Sequence, residues 1–284
     1  MSDKRLGTHD HDRNVAGMTY VYPVVSRRAG GVSIGINLNV NNACNWRCIY
    51  CQVPNLTRGG PPPIDLACLE SELRHMLEAI LEGDFMTRMV PEDMRRLHDI
   101  ALSGNGEPTS AKEFPAVLGI VGKLIREYAL MGRIKLVLIS NGSLVDRPHV
   151  QQGLRLLSDL GGEVWFKLDR ATAAGLRAVN GTATTPERVK HRLLRCAATC
   201  PTWIQTCVFA AHGLPPDPAE LDAYLGFLRQ IMADGGSLQG VLLYGLARPP
   251  GQAGSDHLTR LPAEWLDAFA QRIEQLGLPC QQFT

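Results

Sequence analysis

Hydrophobic and polar positions along the 284 residues alternate between two regimes. Short apolar runs rich in β-branched residues give way to longer segments in which apolar positions recur every three or four residues, and the succession repeats six times. The runs predict strands at 33–40, 99–103, 134–140, 163–168, 203–210 and 240–246, and the longer segments predict helices at 66–82, 111–131, 147–160, 186–198, 218–233 and 262–276. This alternation predicts a parallel sheet wound by helices, because parallel strands need a crossover connection. A further strand at 20–25 is expected to lead, pairing with the first through a turn at 27–31. Asp65, Ser110, Asp146 and Asp217 stand where helix N-caps are expected, and Gly132 and Gly277 where helices end. No internal repeat or linker divides the pattern, so a single domain is expected over 15–284 after a mobile polar arm at 1–14.

Composition narrows the class. A 45% hydrophobic fraction supports one well-buried core, and 29 basic against 28 acidic residues leave a formal net charge of +1. Such a balance supplies no global field to draw the chain onto nucleic acid or an anionic membrane. A local run, Arg188, Lys190, His191, Arg192 and Arg195, has the spacing of a solvated helix face and is the one candidate nucleic-acid patch. Eight cysteines without an apolar leader imply thiols kept reduced for metal or redox chemistry. No run of about 18 apolar residues could span a membrane. A cytoplasmic protein with no membrane partner is therefore expected. His9 and His11, in the polar arm, are expected to face solvent.

The chemistry concentrates in one loop after the first predicted core strand, where Cys44, Cys48 and Cys51 are spaced Cys-x3-Cys-x2-Cys with Tyr50 before the last cysteine. Three thiolates can hold a four-iron cube and leave one iron open to a small ligand. A zinc site lacking its fourth ligand and three ordinary thiols are the duller alternatives; structural zinc sites usually bring a second close pair of Cys or His, and none lies within a dozen residues. Cys196, Cys200 and Cys207 invite an auxiliary cluster, yet they fall on a helix end and a strand, where small buried thiols are ordinary core residues.

The loop resembles the signature of the radical S-adenosylmethionine (SAM) superfamily. The resemblance implies a partial (βα)6 TIM-like barrel, a 4Fe–4S cluster on Cys44, Cys48 and Cys51, and SAM bound to the open iron. Reductive cleavage would then give a 5′-deoxyadenosyl radical that abstracts hydrogen from substrate. The turn after the second strand, Ser103 to Pro108, resembles the family's Gly-Gly-Glu-Pro motif with Asn105 in place of a glycine. This implies that Gly104, Asn105, Gly106 and Glu107 receive the methionine amine of SAM. Ser140 and Asn141 end the third strand and look like the family's Thr-Asn-Gly, suited to a ribose or a carboxylate. Lys167 and Asp169 share one face of the fourth strand's end by the period of two, and are candidates for SAM contact and catalysis. Tyr244 and Arg248 follow at the sixth strand, both as candidates for substrate contact, the first also as a cofactor neighbour and the second also as a catalytic candidate; Tyr50 completes the cofactor set.

The lead-in to Cys44 and the Ala-Arg248-Pro249-Pro250 stretch are similar to the tRNA wyosine synthase branch. That branch carries second-cluster cysteines upstream of the signature, and this chain has no cysteine before Cys44. Three functions follow as expectations: radical chemistry on an unidentified small molecule, radical modification of a nucleoside or tRNA, and a non-catalytic iron–sulfur or zinc sensor. Either enzyme would need a reducing partner such as flavodoxin or ferredoxin.

Overall fold

The computed structural model describes residues 6–7, 17–26 and 30–283. His9, His11 and most of the expected arm at 1–14 lie outside the described residues. The described chain falls into two compact units.

The first unit comprises Met1–Ala43, Gly60–Ile139 and Pro148–Glu163. Its strands are β1 (Val21–Ser26), β2 (Gly31–Ile36), β3 (Leu97–Leu102) and β4 (Lys135–Ser140). β1 runs antiparallel to β2, as expected for the leading strand; β2 is parallel to β3, and β3 to β4. All six residues of β2 are buried, the pattern of a parallel strand covered on both faces. Helices α1 (Leu66–Leu81), α2 (Phe85–Met89), α3 (Phe114–Glu127) and α4 (Pro148–Asp159) accompany these strands. α1 buries Leu69, Leu73, Met76, Leu77 and Ile80, the stripe its periodicity predicts.

The second unit comprises Cys44–Gly59, Ser140–Arg147 and Val164–Thr284. Its strands β5 (Glu163–Lys167), β6 (Thr202–Cys207), β7 (Gly240–Tyr244) and β8 (Cys280–Phe283) are parallel, each hydrogen-bonded to the next. Helices α5 (Ala173–Asn180), α6 (Pro186–Ala197), α7 (Pro218–Ala233) and α8 (Ala263–Glu274) connect them. Among the described residues no helix is long and apolar enough to cross a membrane.

Each of the six expected strands and helices is present, and the departures have local causes. The strand expected at 33–40 stops at Ile36 because Asn37 turns its side chain on the backbone, its Oδ1 accepting from Asn39 N at 3.1 Å. Ser110 does not cap α3. It closes a single 3-10 turn, Pro108–Ser110, its hydroxyl donating to the Glu107 carbonyl, and the helix begins at Phe114 after Glu113. α3 also ends at Glu127, before Gly132, since Ala129 takes a positive φ of 52°. Asp65 and Asp217 do cap, accepting from Cys68 N at 3.0 Å and Ala219 N at 2.8 Å. α2, α5 and β8 have no counterpart in the apolar pattern; the first two are short, and β8 carries two exposed glutamines at 281 and 282.

Two glycines make opposite predictions. A Cβ at Gly153 in α4 would strike the ring of buried Phe114, whereas one at Gly119 in α3 meets nothing within 4 Å. Gly153→Ala should cost about 1–3 kcal/mol through overpacking. Gly119→Ala should stabilise by about 0.5–1 kcal/mol through helix propensity. Urea unfolding of the two variants checks both signs.

Candidate active site

The cysteine loop sits within the second unit and is pinned from several directions. Arg47 N donates to the Asn180 carbonyl at 3.0 Å and Ile49 N to the Val179 carbonyl at 2.9 Å, fastening the loop to the end of α5. Arg58 donates to the carbonyls of Asn45 and Gly181 at 3.4 and 3.0 Å. On the far side, Gly251 N and Gln252 Nε2 donate to the Cys51 carbonyl at 2.8 and 3.1 Å. Cys44, Cys48 and Cys51 are free thiols, each partly exposed. Two N–H groups point at sulfur: Trp46 N lies 3.4 Å from Cys44 Sγ, and Asn180 Nδ2 lies 3.3 Å from Cys48 Sγ. Donors of this kind favour the thiolate, the form that ligates metals. Burial pushes the Cys48 thiol up to about 12, with Lys167 opposing that rise.

Beneath the loop lies Asp169, only 2% exposed. Its Oδ2 accepts from Tyr50 OH at 2.5 Å and from Asn180 Nδ2 at 2.6 Å, while Oδ1 accepts from Cys207 N at 2.8 Å. Tyr50 belongs to the cysteine loop and Asn180 to α5, so one carboxylate ties both to the end of β5. Burial and the Asp169 charge hold Tyr50 far above its ordinary pKa, so the phenol remains a donor. Lys167 stands two residues earlier, its Nζ donating to Tyr244 OH at 3.0 Å and lying 5.1 Å from the centre of the Tyr50 ring. Burial alone would pull its pKa down; Tyr244, Asp169 and Cys48 outweigh that and keep the ammonium charged. Lys167, Asp169, Tyr50 and Tyr244 therefore form one cluster behind Cys48, in which Asp169 and Tyr50 are buried and Lys167 and Tyr244 half-buried. Arg248 takes part through its backbone, its carbonyl accepting from Gln52 Nε2 at 3.4 Å.

Ser140 and Asn141 join the same unit from the end of β4. Ser140 Oγ accepts from Gly142 N at 3.0 Å, and Asn141 Nδ2 donates to Asn45 Oδ1 of the cysteine loop at 2.8 Å. The glycine turn lies in the first unit. There Gly104 adopts a φ of 151°, and a side chain at Gly106 would collide with the Ala43 carbonyl, so both positions need glycine. Asn105 N donates to Asn37 Oδ1 at 3.0 Å and Asn105 Nδ2 to Asn42 Oδ1 at 2.6 Å, but Asn105 Oδ1 is buried without a partner. Glu107 is 2% exposed, and its Oε1 accepts from Thr109 N and Oγ1 at 3.2 and 2.5 Å.

The donor sets suit the groups expected from the sequence. Among the described residues no three His, Cys, Asp or Glu side chains converge as ligands of one ion. A tetrahedral zinc would need its thiolates about 2.3 Å from a single centre. A cubane binds each thiolate at a different iron and so does not require three sulfurs of one loop to share a single centre. In the turn, the orphan Asn105 oxygen is an acceptor awaiting a donor, as an amine would supply. Cys196, Cys200 and Cys207 are all buried; Thr202 Oγ1 donates to Cys196 Sγ at 3.6 Å, and Cys207 packs with Tyr50 and Phe209. No local motif marks Asn180 or Asn45 as a site residue, although Asn180-Gly181 is a recognisable helix ending.

The backbone match to solved structures decides the fold. A radical SAM methyltransferase from Sphaerobacter thermophilus superposes with a TM-score of 0.63 over 95% of this chain and 71% of that one, at 17% identity. The chain has the radical SAM fold. This is the α/β, partial (βα)6 TIM-like architecture expected above. TYW1 with a lysine-pyruvate adduct bound matches with a TM-score of 0.58 over 86% of this chain and 73% of that one, at 16% identity. A UPF0026 protein of Helicobacter pylori is 30% identical over 134 residues, 47% of this chain. The chain spans between 17% and 38% of the length of the curated relatives it matches. No protein-family model matches it.

Because Asp169 satisfies three donors in the radical SAM scaffold, Asp169→Ala should strip all three at once. Bonds to a charged acceptor contribute about 1.5–3 kcal/mol each, partly offset by water entering the gap. A loss of roughly 3–5 kcal/mol is expected. Equilibrium denaturation of the apoprotein measures it, and a change below about 1 kcal/mol would contradict the assignment.

Proposed function

We propose that the chain is a radical SAM enzyme whose cluster is held by Cys44, Cys48 and Cys51. The supporting observation is the loop itself: three free thiols, N–H donors on two of the sulfurs, and an anchoring tyrosine fixed by a buried carboxylate. When bound, the cluster and SAM supply a 5′-deoxyadenosyl radical that removes a hydrogen atom from substrate.

The chain's own residues divide the remaining work. Asn105 and Glu107 offer acceptors to the methionine amine, and Ser140 and Asn141 offer hydroxyl and amide groups to the ribose or carboxylate. Lys167 carries a fixed positive charge behind Cys48, which favours the anionic thiolate-ligated state. Asp169 acts by holding Tyr50 and Asn180, so it is a positioning residue. Tyr244 orients Lys167. Arg248 remains a candidate substrate contact, its carbonyl already engaged by Gln52.

A small-molecule substrate is preferred over tRNA because, among the described residues, every member of the basic run but Arg188 lies against a neighbouring carboxylate. Lys190 pairs with Asp234 at 2.5 Å, and His191, Arg192 and Arg195 all approach Asp146, at 3.6, 2.8 and 3.9 Å. Paired charges release few counterions from a nucleic acid.

After anaerobic reconstitution with iron and sulfide, dithionite and SAM should yield 5′-deoxyadenosine. Alanine at Cys44, Cys48 or Cys51 should abolish it; an intact cluster that leaves SAM uncleaved would sink the proposal. Cys196→Ala and Cys200→Ala should leave the iron-to-protein ratio at the wild-type value, and a fall of several irons would mean that an auxiliary cluster exists.

A further inference from the structure

Beside the cysteine loop, within the second unit, a cavity of about 310 Å3 opens. It is lined by Asn45 and Trp46 of the loop, Ser143, Thr182 and Thr184, and Arg188 and Arg192 on one face of α6. Its volume is at the lower end of small-ligand sites.

Three features give the cavity a chemistry. Arg188 is the one member of the basic run without a carboxylate partner among the described residues, while its neighbours Lys190, His191, Arg192 and Arg195 are all paired. Arg192 commits only Nε, at 2.8 Å from Asp146 Oδ2. Thr184 Oγ1 is buried with no hydrogen-bond partner. Ser143 Oγ accepts from Asn45 Nδ2 at 2.7 Å, which leaves its own proton to donate. The cavity thus offers a free guanidinium and two hydroxyl donors. Of the acidic groups nearby, Asp146 is bonded through Oδ2 by Arg192 while its Oδ1, approached by His191 and Arg195 at 3.6 and 3.9 Å, has no hydrogen-bond partner among the described residues, and Glu187 is engaged by its own backbone amide and Thr185. The start of α6 contributes little, because Thr185 Oγ1 already accepts from Arg188 N at 3.3 Å.

We propose that this cavity binds the phosphoryl group of a phosphorylated small molecule. Donors approaching from Arg188, Ser143 and Thr184 suit a tetrahedral group with several acceptor oxygens better than a planar carboxylate. One free cation suits one phosphate, whereas an RNA backbone would need several. Lying against Asn45 and Trp46, such a site would anchor the remote end of a substrate beside the cysteine loop. The inference goes beyond the radical reading and stands without it.

Calorimetric titration of the full chain with inorganic phosphate, ribose 5-phosphate and acetate tests it. Ribose 5-phosphate should bind, acetate should bind at least tenfold more weakly, and Arg188→Ala should weaken ribose 5-phosphate at least tenfold with unchanged circular dichroism. Thr184→Val should weaken it too, and Arg188→Lys should restore part of the loss. The proposal falls if Arg188→Ala binds as wild type, if acetate competes equally, or if only tRNA binds. It also falls if inorganic phosphate binds alone and is displaced by chloride, an adventitious ion only. Binding by a protein that never cleaves SAM would leave this site standing and remove the radical reading; cleavage without phosphate binding would do the reverse.

Discussion

The arrangement around the cysteines depends on one buried carboxylate. Asp169 accepts from Tyr50, Asn180 and Cys207, and through the first two it holds both the cysteine loop and the helix end on which that loop rests. A carboxylate so deeply buried is stable only when its oxygens are saturated by donors, and here donors from three separate segments do so. The same group faces Lys167, whose ammonium lies against the Tyr50 ring. Charge, hydrogen bonding and ring packing therefore meet behind Cys48.

Asp169 was expected at the cofactor and substrate from its place after the fourth core strand. Its spacing from Lys167 suggested a carboxylate offered to ribose or substrate, and its oxygens accept from Tyr50, Asn180 and Cys207. Lys167 likewise turns to Tyr244 and Tyr50. Burial raises the Cys48 thiol, the Lys167 ammonium opposes that rise and the Asp169 charge adds to it, so the charges of this cluster bear directly on Cys48. Electrostatics elsewhere is more local. With a net charge of +1 the chain has no long-range bias, and the pairing of α6 with Asp146 and Asp234 leaves Arg188 as the member of that run with charge to spare.

Much of the fold was legible because period and punctuation agree. The 16-residue helices α1 and α7 begin where Asp65 and Asp217 cap them, and their apolar stripes face the core. Legibility failed where local bonding competed with pattern. Ser110 had the right chemistry for a cap, but the Glu107-Pro108 turn captured it first. α5 is only eight residues long, too short for periodicity to distinguish it, yet it carries Asn180. β8 lacks an apolar alternation and is recruited by backbone bonds to β7, which no side-chain pattern reports.

The sequence by itself determined the alternation of strands and helices, the spacing of the three cysteines and the glycines that shape the turn before Glu107. Each depends on residues near one another in the chain, through helical period, φ freedom or loop length. The tertiary structure alone decided that Asp169 holds Tyr50, that Asn180 reaches Cys48 Sγ from 132 positions away, and that Arg188 lines a cavity without a carboxylate partner among the described residues. Those outcomes turn on which donors and charges are brought within hydrogen-bonding distance by packing, and long-range proximity of that kind has no signature in local sequence.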